Sequence, residues 1–260
     1  MDTIKVIDYI VNWINDYANK ANINGFVIGV SGGIDSAVTS TLCAKTGKEV
    51  LCLNMPIHQA KSQFDRSNEH IDWLKTNFGN PIKSHTVDLT RTFDQTCIDF
   101  PKEIQDDLTM ANVRARLRMT TLYAFASHHK YIVAGTGNKV EDFGVGFFTK
   151  YGDGGVDISP IADLMKTQVY AIANELNIVE SIQKAKPTDG LWGDDRSDED
   201  QIGATYPELE WAMDYISANS SDKLSSREEE VLAIYKKLHK ANKHKMIPIP
   251  VCEIPKEYIK

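Results

Sequence analysis

The sequence predicts an α/β fold, in which helices cover both faces of a parallel sheet. Short apolar runs of strand length alternate with helical stretches from residue 3 to residue 134, as expected for successive strand–helix–strand units. The run at 26–30 breaks abruptly into glycines before a helical stretch begins. Because ligands bind at the carboxyl ends of strands in such sheets, a site is expected at this glycine turn.

The individual elements follow in chain order. Isoleucine, valine and tyrosine at helical spacing predict a first helix at 3–21 that packs on the sheet. Strands are predicted at 26–30, 49–55, 85–89 and 131–134, and further helices at 35–46, 62–78, 108–129, 161–176, 206–216 and 226–238. Since no repeat, low-complexity tract or linker interrupts this order, we expect one domain covering residues 1–260.

The composition limits the kind of partner. The chain is 42% hydrophobic and 25% charged, as ordinary globular proteins are, and its net charge of −7 argues against nucleic acid, which needs a basic face. The four cysteines are widely spaced, which indicates neither a zinc site nor a disulfide framework, and two of them lie in apolar runs as expected of inert core residues. Without a membrane-spanning run or a signal-peptide pattern, the protein is expected to be cytoplasmic.

The stretch 29–36, Gly-Val-Ser-Gly-Gly-Ile-Asp-Ser, joins a glycine turn to the start of a helix. A helix N-terminus presents unpaired N–H groups and positive dipole, so it attracts phosphate. The glycines allow close approach, and Ser31 and Ser36 add hydroxyl donors. Asp35 would repel phosphate unless a cation lay between them, so it is interpreted as a Mg²⁺ ligand. An ordinary glycine corner is the alternative, but it needs neither two serines nor an aspartate.

Two later segments add candidates on the same side of the sheet. The glycine turn at 135–142 follows a predicted strand, so Thr136 could meet an adenine or ribose edge and Glu141 could be a second Mg²⁺ carboxylate. The segment 147–157 holds three glycines among charged residues, which is typical of a mobile loop that closes over substrate. Taken alone, that segment would be interpreted as a flexible surface turn.

Basic residues supply candidate anion ligands. Arg114 and Arg118 share one helix face while Arg116 points elsewhere, and each is either solvated or a bidentate clamp for phosphate or carboxylate. Lys166 is poorly placed for the dipole at the start of its predicted helix, which favours a phosphate contact. The acidic run at 194–200 is expected to be a solvated lid.

Together these motifs resemble NAD⁺ synthetases, a family within the ATP pyrophosphatase superfamily that amidates nicotinic acid adenine dinucleotide using ATP. The glycine loop marks the superfamily, whereas the run Phe-Thr-Lys-Tyr-Gly-Asp-Gly-Gly at 148–155 is specific to the family. The matching segments, in the family's order, are 31–36, 112–119, 135–141, 148–157, 163–169, 186–192 and 244–245. The resemblance implies an adenine nucleotide alpha hydrolase-like, Rossmann-like fold, and a homodimer with its dinucleotide site near the subunit interface.

The resemblance also implies roles for single residues. It assigns ATP to Gly29, Val30, Ser31, Gly32, Gly33, Ile34, Asp35, Ser36, Thr136, Lys166 and Thr188, and Mg²⁺ to Asp35 and Glu141. It assigns the dinucleotide acid to Arg116, Lys150, Asp157, His244 and Lys245, and the chemistry to Asp153 and Lys166. It favours a function for Arg116 and leaves Arg114 and Arg118 mostly structural. The segment from Glu141 to Lys150 is one residue longer than the family pattern, so either Glu141 or Asp142 faces the metal.

The implied mechanism follows from charge. A carboxylate resists attack by ammonia, so the pyridine carboxylate first attacks the α-phosphorus of ATP, giving an acyl adenylate and pyrophosphate. Ammonia then displaces AMP and leaves the amide. Mg²⁺, Lys166 and the loop N–H groups would stabilise the phosphate charge. Asp153 would hold or deprotonate ammonium, and loop closure would protect the adenylate from water.

Three other functions stay open on the sequence. Another amide-forming enzyme, of the GMP or asparagine synthetase type, is disfavoured by the run at 148–155. A tRNA-modifying thiolase of the superfamily would need cysteines near the loop and a basic face. A non-catalytic nucleotide-binding protein is disfavoured by the presence of Asp35, Asp153 and Lys166. Because the adenylating motifs begin at Ser31 behind a single helix, no fused glutaminase is expected, and free ammonia is the predicted nitrogen source.

Overall fold

The computed structural model of the protein describes residues 1–79, 81–188 and 197–259. The α-helices are α1 (Thr3–Lys20), α2 (Ile34–Lys45), α3 (Lys61–Phe78), α4 (Thr90–Asp99), α5 (Asp107–His129), α6 (Lys166–Glu175), α7 (Glu180–Gln183), α8 (Asp198–Ile202), α9 (Tyr206–Ser217) and α10 (Ser226–Met246). The strands are β1 (Gly25–Gly29), β2 (Glu49–Asn54), β3 (Ile82–Thr86) and β4 (Ile132–Val133). Short 3₁₀ turns lie at Lys102–Ile104 and Lys256–Tyr258, and a π-helical turn lies at Val140–Val145.

The described strands form one parallel sheet in the order β3-β2-β1-β4. Val27 of β1 pairs with Leu51 of β2 on one side and with Val133 of β4 on the other. The chain builds one side of β1 first and then crosses to the other side, so the strand order reverses between β1 and β4. Such a switch point opens a crevice at the carboxyl ends of the strands, where β1 continues into the glycine loop.

Helices cover both faces of this sheet, which confirms the predicted α/β class. Alternate residues of β1 point to opposite faces. Phe26 and Ile28 join the buried cluster that includes α1, α2 and α6, whereas Val27 joins the cluster that includes α4 and α5. A third apolar cluster unites α9, α10 and the π-helical turn. That the whole chain forms one domain stays a prediction.

The third predicted strand was placed wrongly. The strand lies at Ile82–Thr86 rather than at 85–89. It is an edge strand with mostly exposed, polar side chains, so it lacks the apolar run that marks a central strand. Leu89, which suggested the later position, is buried beyond the end of the strand.

Two helix boundaries also differ from prediction by several residues, and three helices, α4, α7 and α8, were not predicted. The helix expected from residue 161 begins at Lys166, because residues 161–164 form turns that bury Ile161 and Leu164 without helical structure. Helix α10 continues to Met246 and therefore includes the basic residues expected in a tail. Helix α4 was not predicted, since Phe93 is its single fully buried residue.

Two of the cysteines have the buried surroundings expected of inert core residues. Cys43 and Cys52 lie in the core, where burial raises the pKa of both thiols, that of Cys52 to about 12. Both thiols therefore stay protonated and unreactive near neutral pH. No described helix combines the length and the apolar content that crossing a lipid bilayer requires.

His70 of α3 makes stability depend on pH. Its ring is fully buried, stacks on Trp73 with ring centres 5.5 Å apart, and lies with Nε2 3.0 Å from Ser40 Oγ. Within the described residues, Nδ1 is buried without a hydrogen-bond partner. Burial lowers the pKa of His70 to about 4, so the folded state resists a proton that the unfolded state accepts below about pH 6.5.

We expect the free energy of unfolding to be unaffected by His70 above pH 6.5 and to fall as the pH drops from 6.5 toward 4. Between pH 7 and pH 5 the loss from this group is roughly 2 kcal/mol, given about 1.4 kcal/mol for each pKa unit. Urea unfolding at both pH values should show a smaller loss for His70→Gln than for the parent. The control is His128→Gln on the exposed end of α5. An equal loss in all three proteins would contradict the expectation.

Candidate active site

The glycine loop after β1 is shaped by its two serines. Ser36 Oγ accepts a hydrogen bond from the Ser31 amide at 3.2 Å and donates one to the Gly33 carbonyl oxygen at 3.0 Å. Ser31 Oγ accepts from the Gly33 amide at 3.2 Å and lies 3.1 Å from Ser36 Oγ. These bonds preform a cradle at the N-terminus of α2, where the positive end of the helix dipole favours an anion.

The conformation of Gly32 excludes any side chain. Its φ of +82° is left-handed. A Cβ atom at this position would lie 2.5 Å from the Gln63 carbonyl oxygen and 3.1 Å from the Ser67 amide nitrogen on α3. Arg66 of the same helix donates from Nε to the Gly32 carbonyl oxygen at 3.3 Å. The glycine therefore serves close packing of the loop on α3 as well as close approach of a ligand.

The turn after β4 is tied to the glycine loop through Asn138. The fully buried Asn138 side chain donates from Nδ2 to Asp35 Oδ1 at 3.1 Å. Its Oδ1 accepts from the amides of Val140 and Glu141 at 3.1 and 3.2 Å. One side chain thereby fixes the relative positions of Asp35 and the Glu141 backbone, although β1 and β4 are far apart in the sequence.

Lys166, the first residue of α6, places a buried ammonium between two carboxylates. Its Nζ lies 2.6 Å from Asp35 Oδ2 and 3.0 Å from Glu141 Oε1, and its side chain is 3% exposed. The same atom lies 4.7 Å from the ring centre of Tyr206, which is a cation–π contact. Burial opposes the charge, but the two carboxylates outweigh burial and raise the pKa of Lys166. The lysine is therefore fully charged at neutral pH.

Two carboxylates share this one ammonium, and the carboxyl group of Asp142 borders the same cavity. Burial raises the pKa of Asp35 even though Lys166 opposes the shift. Burial, together with the neighbouring carboxylates, raises the pKa of Asp142 to about 8. Because buried carboxylates are costly without compensating charge, the site would be stabilised by a further cation.

The donor set suits a hard divalent cation. Asp35 and Glu141 offer the carboxylate oxygens that Mg²⁺ prefers. In the part of the chain that the structure describes, no three His, Cys, Asp or Glu side chains converge as a metal-binding group. Further ligands for such an ion would therefore come from phosphate or water, as is usual for Mg²⁺ at nucleotide sites.

A cavity of about 250 Å³ opens at the carboxyl ends of β1 and β4. Every residue predicted for ATP, for the metal or for the chemistry borders it: Gly29, Val30, Ser31, Gly32, Gly33, Ile34, Asp35, Ser36, Thr136, Glu141, Asp153, Lys166 and Thr188. Asp142 also borders it, so the geometry admits both carboxylates, while Glu141 is the one paired with Lys166. The structure therefore gathers motifs between residues 29 and 188 around one cavity.

The residues predicted for the dinucleotide acid lie apart from the lining of this cavity. Arg116 Nη2 donates to the Lys150 carbonyl oxygen at 3.4 Å, and Lys150 Nζ donates to the His244 carbonyl oxygen at 2.8 Å. Lys245 Nζ donates to the carbonyl oxygens of Gly146 and Phe148. These four basic residues thus form one group where α5, the loop at 146–150 and the end of α10 meet.

Asp157, the fifth predicted residue, stands in different surroundings. Its Oδ2 accepts a hydrogen bond from the Val133 amide of β4 at 2.8 Å, and its Oδ1 accepts from the Tyr123 hydroxyl at 3.0 Å. Burial and the nearby carboxylate raise the pKa of Tyr123 to about 12, so the phenol remains a donor. The Asp157 carboxylate therefore also caps the edge of the sheet.

Asp153 lies on the glycine-rich segment and faces the cavity. Its Oδ1 accepts a hydrogen bond from the Thr149 amide at 2.8 Å, and Thr149 Oγ1 donates to Asn112 Oδ1 on α5 at 2.6 Å. The side chain is accessible, but the atoms around the cavity displace bulk water and raise the pKa of Asp153. This carboxylate is thus anchored to α5 and sensitive to pH.

Sequence reasoning missed several side chains that build the site. Asn138 and Tyr206 hold the charged groups, and Arg66 borders the cavity. Arg118, which the sequence offered as a possible anion clamp and the resemblance left mostly structural, borders the cavity as well. Arg118 also donates to the Met55 carbonyl oxygen at 3.0 Å, so its packing does not exclude a contact with ligand. Tyr206 gave no such signal, because in the sequence it is indistinguishable from any apolar residue of an amphipathic helix.

Arg114 has the structural surroundings expected of it. Its guanidinium carbon lies 4.2 Å from the ring centre of Phe93, so α5 packs on α4 through a cation–π contact. Of the acidic run at 194–200 that was expected to form a lid, residues 194–196 lie outside the described residues. The described part begins α8, where Asp198 is buried rather than solvated.

Fold and site together are those expected of a nucleotide-binding α/β protein, with a serine–glycine loop shaped to receive an anion. The loop itself carries no lysine, and the cationic group comes from the start of α6 instead. This arrangement separates the protein from kinase-type phosphate loops, in which the loop supplies the lysine.

Comparison with known proteins places the chain within this class. The sequence profile described as NAD synthase matches residues 6–248. The NH3-dependent NAD+ synthetase of Mesoplasma florum is 37% identical, covering 94% of this chain and 95% of its own. That of Methanosarcina mazei is 34% identical, covering 98% and 100%. A solved NMN synthetase from Francisella tularensis is 30% identical with a TM-score of 0.84, covering 98% and 99%. The chain belongs to the NAD synthase family.

Proposed function

We propose that this protein converts nicotinic acid adenine dinucleotide to NAD⁺, using ATP and ammonia and releasing AMP and pyrophosphate. The observation that carries the proposal is the cavity at the switch point, where the serine–glycine cradle faces Lys166 between Asp35 and Glu141. This arrangement suits a polyphosphate bound with a cation. Membership of the NAD synthase family supplies the reaction class, a ligase that forms a C–N bond.

The loop and Lys166 would bind ATP during adenylation. The amides of the α2 N-terminus and the hydroxyls of Ser31 and Ser36 would receive the phosphate oxygens. Lys166 would leave one of its carboxylate partners to meet the charge that develops on pyrophosphate as the substrate carboxylate attacks the α-phosphorus. Thr136 and Thr188 border the same cavity and would contact the remainder of the nucleotide.

A magnesium ion bound with ATP would neutralise phosphate charge. Asp35 and Glu141 are the residues that would hold it, because their carboxylate oxygens flank one point of the cavity. The four basic residues at 116, 150, 244 and 245 would bind the dinucleotide acid, whose phosphates need cationic partners. The side chains of Lys150 and Lys245 would exchange their present carbonyl partners for those phosphates.

A second candidate substrate is nicotinic acid mononucleotide. The observation that favours it is the fold and sequence match to the NMN synthetase of Francisella tularensis. Amidation of the mononucleotide needs the same adenylation and the same ammonia step. The ATP cavity therefore does not distinguish the mononucleotide from the dinucleotide as the substrate. The names of the curated relatives, which are NAD+ synthetases, favour the dinucleotide.

The test supplies each acid separately to the purified chain with ATP, Mg²⁺ and ammonium, and measures the amide product and AMP. We expect NAD⁺ and AMP in equal amounts from the dinucleotide acid and a much slower reaction of the mononucleotide. Preference for the mononucleotide would overturn the substrate assignment. If no AMP formed with either acid, the proposed reaction itself would be overturned. A parallel reaction with glutamine in ammonium-free buffer should give no product, since free ammonia is the proposed nitrogen source.

Asp153→Asn is expected to slow amide formation while leaving ATP binding intact. The carboxylate would hold or deprotonate ammonium, and asparagine keeps the hydrogen bond from the Thr149 amide without the negative charge. We expect a loss of about 10²-fold, with a higher apparent KM for ammonium and a rate that no longer follows titration of this group. An unchanged dependence on ammonium and pH would reduce Asp153 to a loop-anchoring residue.

We also propose that the protein acts as a cytoplasmic homodimer on small molecules, with no nucleic acid or membrane partner. The proposal is supported by the acidic net charge of −7 and by the family resemblance. Light scattering after gel filtration measures the mass directly. A mass of about 58 kDa, twice the 29.1 kDa of one chain, is expected.

A further inference from the structure

Tyr206 lies outside the cavity and contacts two charged side chains of the site, Glu141 and Lys166. Its hydroxyl donates to Glu141 Oε1 at 2.6 Å, and its ring centre lies 4.7 Å from Lys166 Nζ. The residue is 3% exposed and sits at the start of α9. A buried phenol with these two contacts acts on the position of both side chains at once.

The hydroxyl restrains the Glu141 carboxylate. Oε1 accepts from Lys166 Nζ at 3.0 Å as well as from the phenol at 2.6 Å. Rotation of the carboxylate would break both bonds in a buried setting, where unpaired polar groups are costly. Asp198 Oδ2 lies 3.4 Å from the same hydroxyl, but one hydroxyl hydrogen serves one short bond, and the shorter contact is with Glu141.

Tyr206 is itself held firmly. Its backbone amide donates to Glu199 Oε1 on α8 at 2.8 Å. Thr205 and Glu208 form a capping box at the start of α9, and Glu208 in turn pairs with Arg227 of α10 at 2.7 Å. Packing of α9 against α10 in the third apolar cluster completes the support. These contacts therefore hold the Tyr206 phenol in one position relative to the site.

We propose that Tyr206 is a positioning residue that orients Glu141 and Lys166 for the divalent cation and the ATP phosphates. The identity of cation and nucleotide rests on the proposed function. Outer partners that orient metal-binding side chains commonly affect metal affinity by about 10–100-fold. Tyr206 has this relation to Glu141, although it does not border the cavity itself.

The experiment titrates Mn²⁺, as an EPR-visible probe, into the full-length protein with a non-hydrolysable ATP analogue. Tyr206→Phe keeps the ring over Lys166 and removes the hydroxyl, so the Kd for Mn²⁺ is expected to rise about tenfold. Tyr206→Leu also removes the ring face and is expected to weaken binding of the analogue. Tyr215→Phe is the matched control, because it removes a phenol hydroxyl on the same helix that donates to the Asp222 carbonyl oxygen.

Thermal unfolding of each variant separates positioning from stability. A purely structural role would lower the Tm of Tyr206→Phe and leave the Mn²⁺ Kd unchanged, which would overturn the proposal. Equal weakening by Tyr215→Phe, or absence of Mn²⁺ binding by the parent, would also overturn it. Tyr206-dependent Mn²⁺ binding without NAD⁺ synthesis would sustain the positioning role and reject the proposed function instead. Should Tyr206→Leu fail to fold, Tyr206→Phe alone decides.

Discussion

Asp35→Ala is expected to reduce adenylation by about 10²–10³-fold, the usual cost of removing one strong electrostatic stabiliser. Asp35 is one of the two carboxylates that flank Lys166, with Oδ2 at 2.6 Å, and it receives the Asn138 amide at 3.1 Å. Its loss would remove a proposed metal ligand and release both partners. Exchange of labelled pyrophosphate into ATP, in the presence of the acid substrate, measures this step without the ammonia reaction.

The matched control is Asp163→Ala. Asp163 precedes the same lysine by three residues and pairs with Lys139 at 2.9 Å, but its side chain is 97% exposed. Exposed pairs contribute little, so this variant should keep the exchange rate of the parent. Near-parent exchange by Asp35→Ala at saturating Mg²⁺ would refute the role of Asp35, and a severe defect in Asp163→Ala would show that loss of any nearby carboxylate is sufficient.

Gly32→Ala is expected to lower kcat/KM for ATP by about 10²-fold, because displacement of a binding loop by about 1 Å has effects of this size. The left-handed φ of +82° disfavours alanine by about 1–2 kcal/mol. In addition, the new Cβ would meet the Gln63 carbonyl oxygen at 2.5 Å. Backbone on α3 cannot rotate away, so the phosphate cradle itself must shift. Steady-state kinetics with varied ATP and thermal unfolding are the measurements.

Gly47→Ala separates the effect of backbone strain from the effect of the Cβ contact with α3. Gly47 has a similar φ of +76°, but a Cβ at that position meets no atom within 4 Å. This variant should therefore lose stability through backbone strain and keep the KM for ATP. If Gly32→Ala changed only stability, as Gly47→Ala does, the contact with α3 would have no bearing on nucleotide binding.

The order of elements was predictable because local patterns reflect local physics. Apolar strands buried on both faces and amphipathic helices have distinct hydrophobic patterns. The central strand was therefore recognised from its continuous apolar run, which ends at a glycine turn. β3 was misplaced because an edge strand needs few apolar residues. The start of α6 was misplaced because residues buried in irregular turns, such as Ile161, resemble residues buried in a helix.

By itself the sequence determined the α/β class, and it predicted a phosphate-binding role for the glycine loop, because the glycines, serines and carboxylate that such a site needs lie in one short motif. The resemblance to a family supplied most of the other residues that border the cavity. The tertiary structure decided how those motifs meet. It placed Lys166 between Asp35 and Glu141, grouped the basic residues at 116, 150, 244 and 245 apart from the cavity, and added Asn138 and Tyr206. Such contacts join residues distant in the chain, and hydrogen bonds and desolvation in a buried site depend on distances that no local sequence pattern contains.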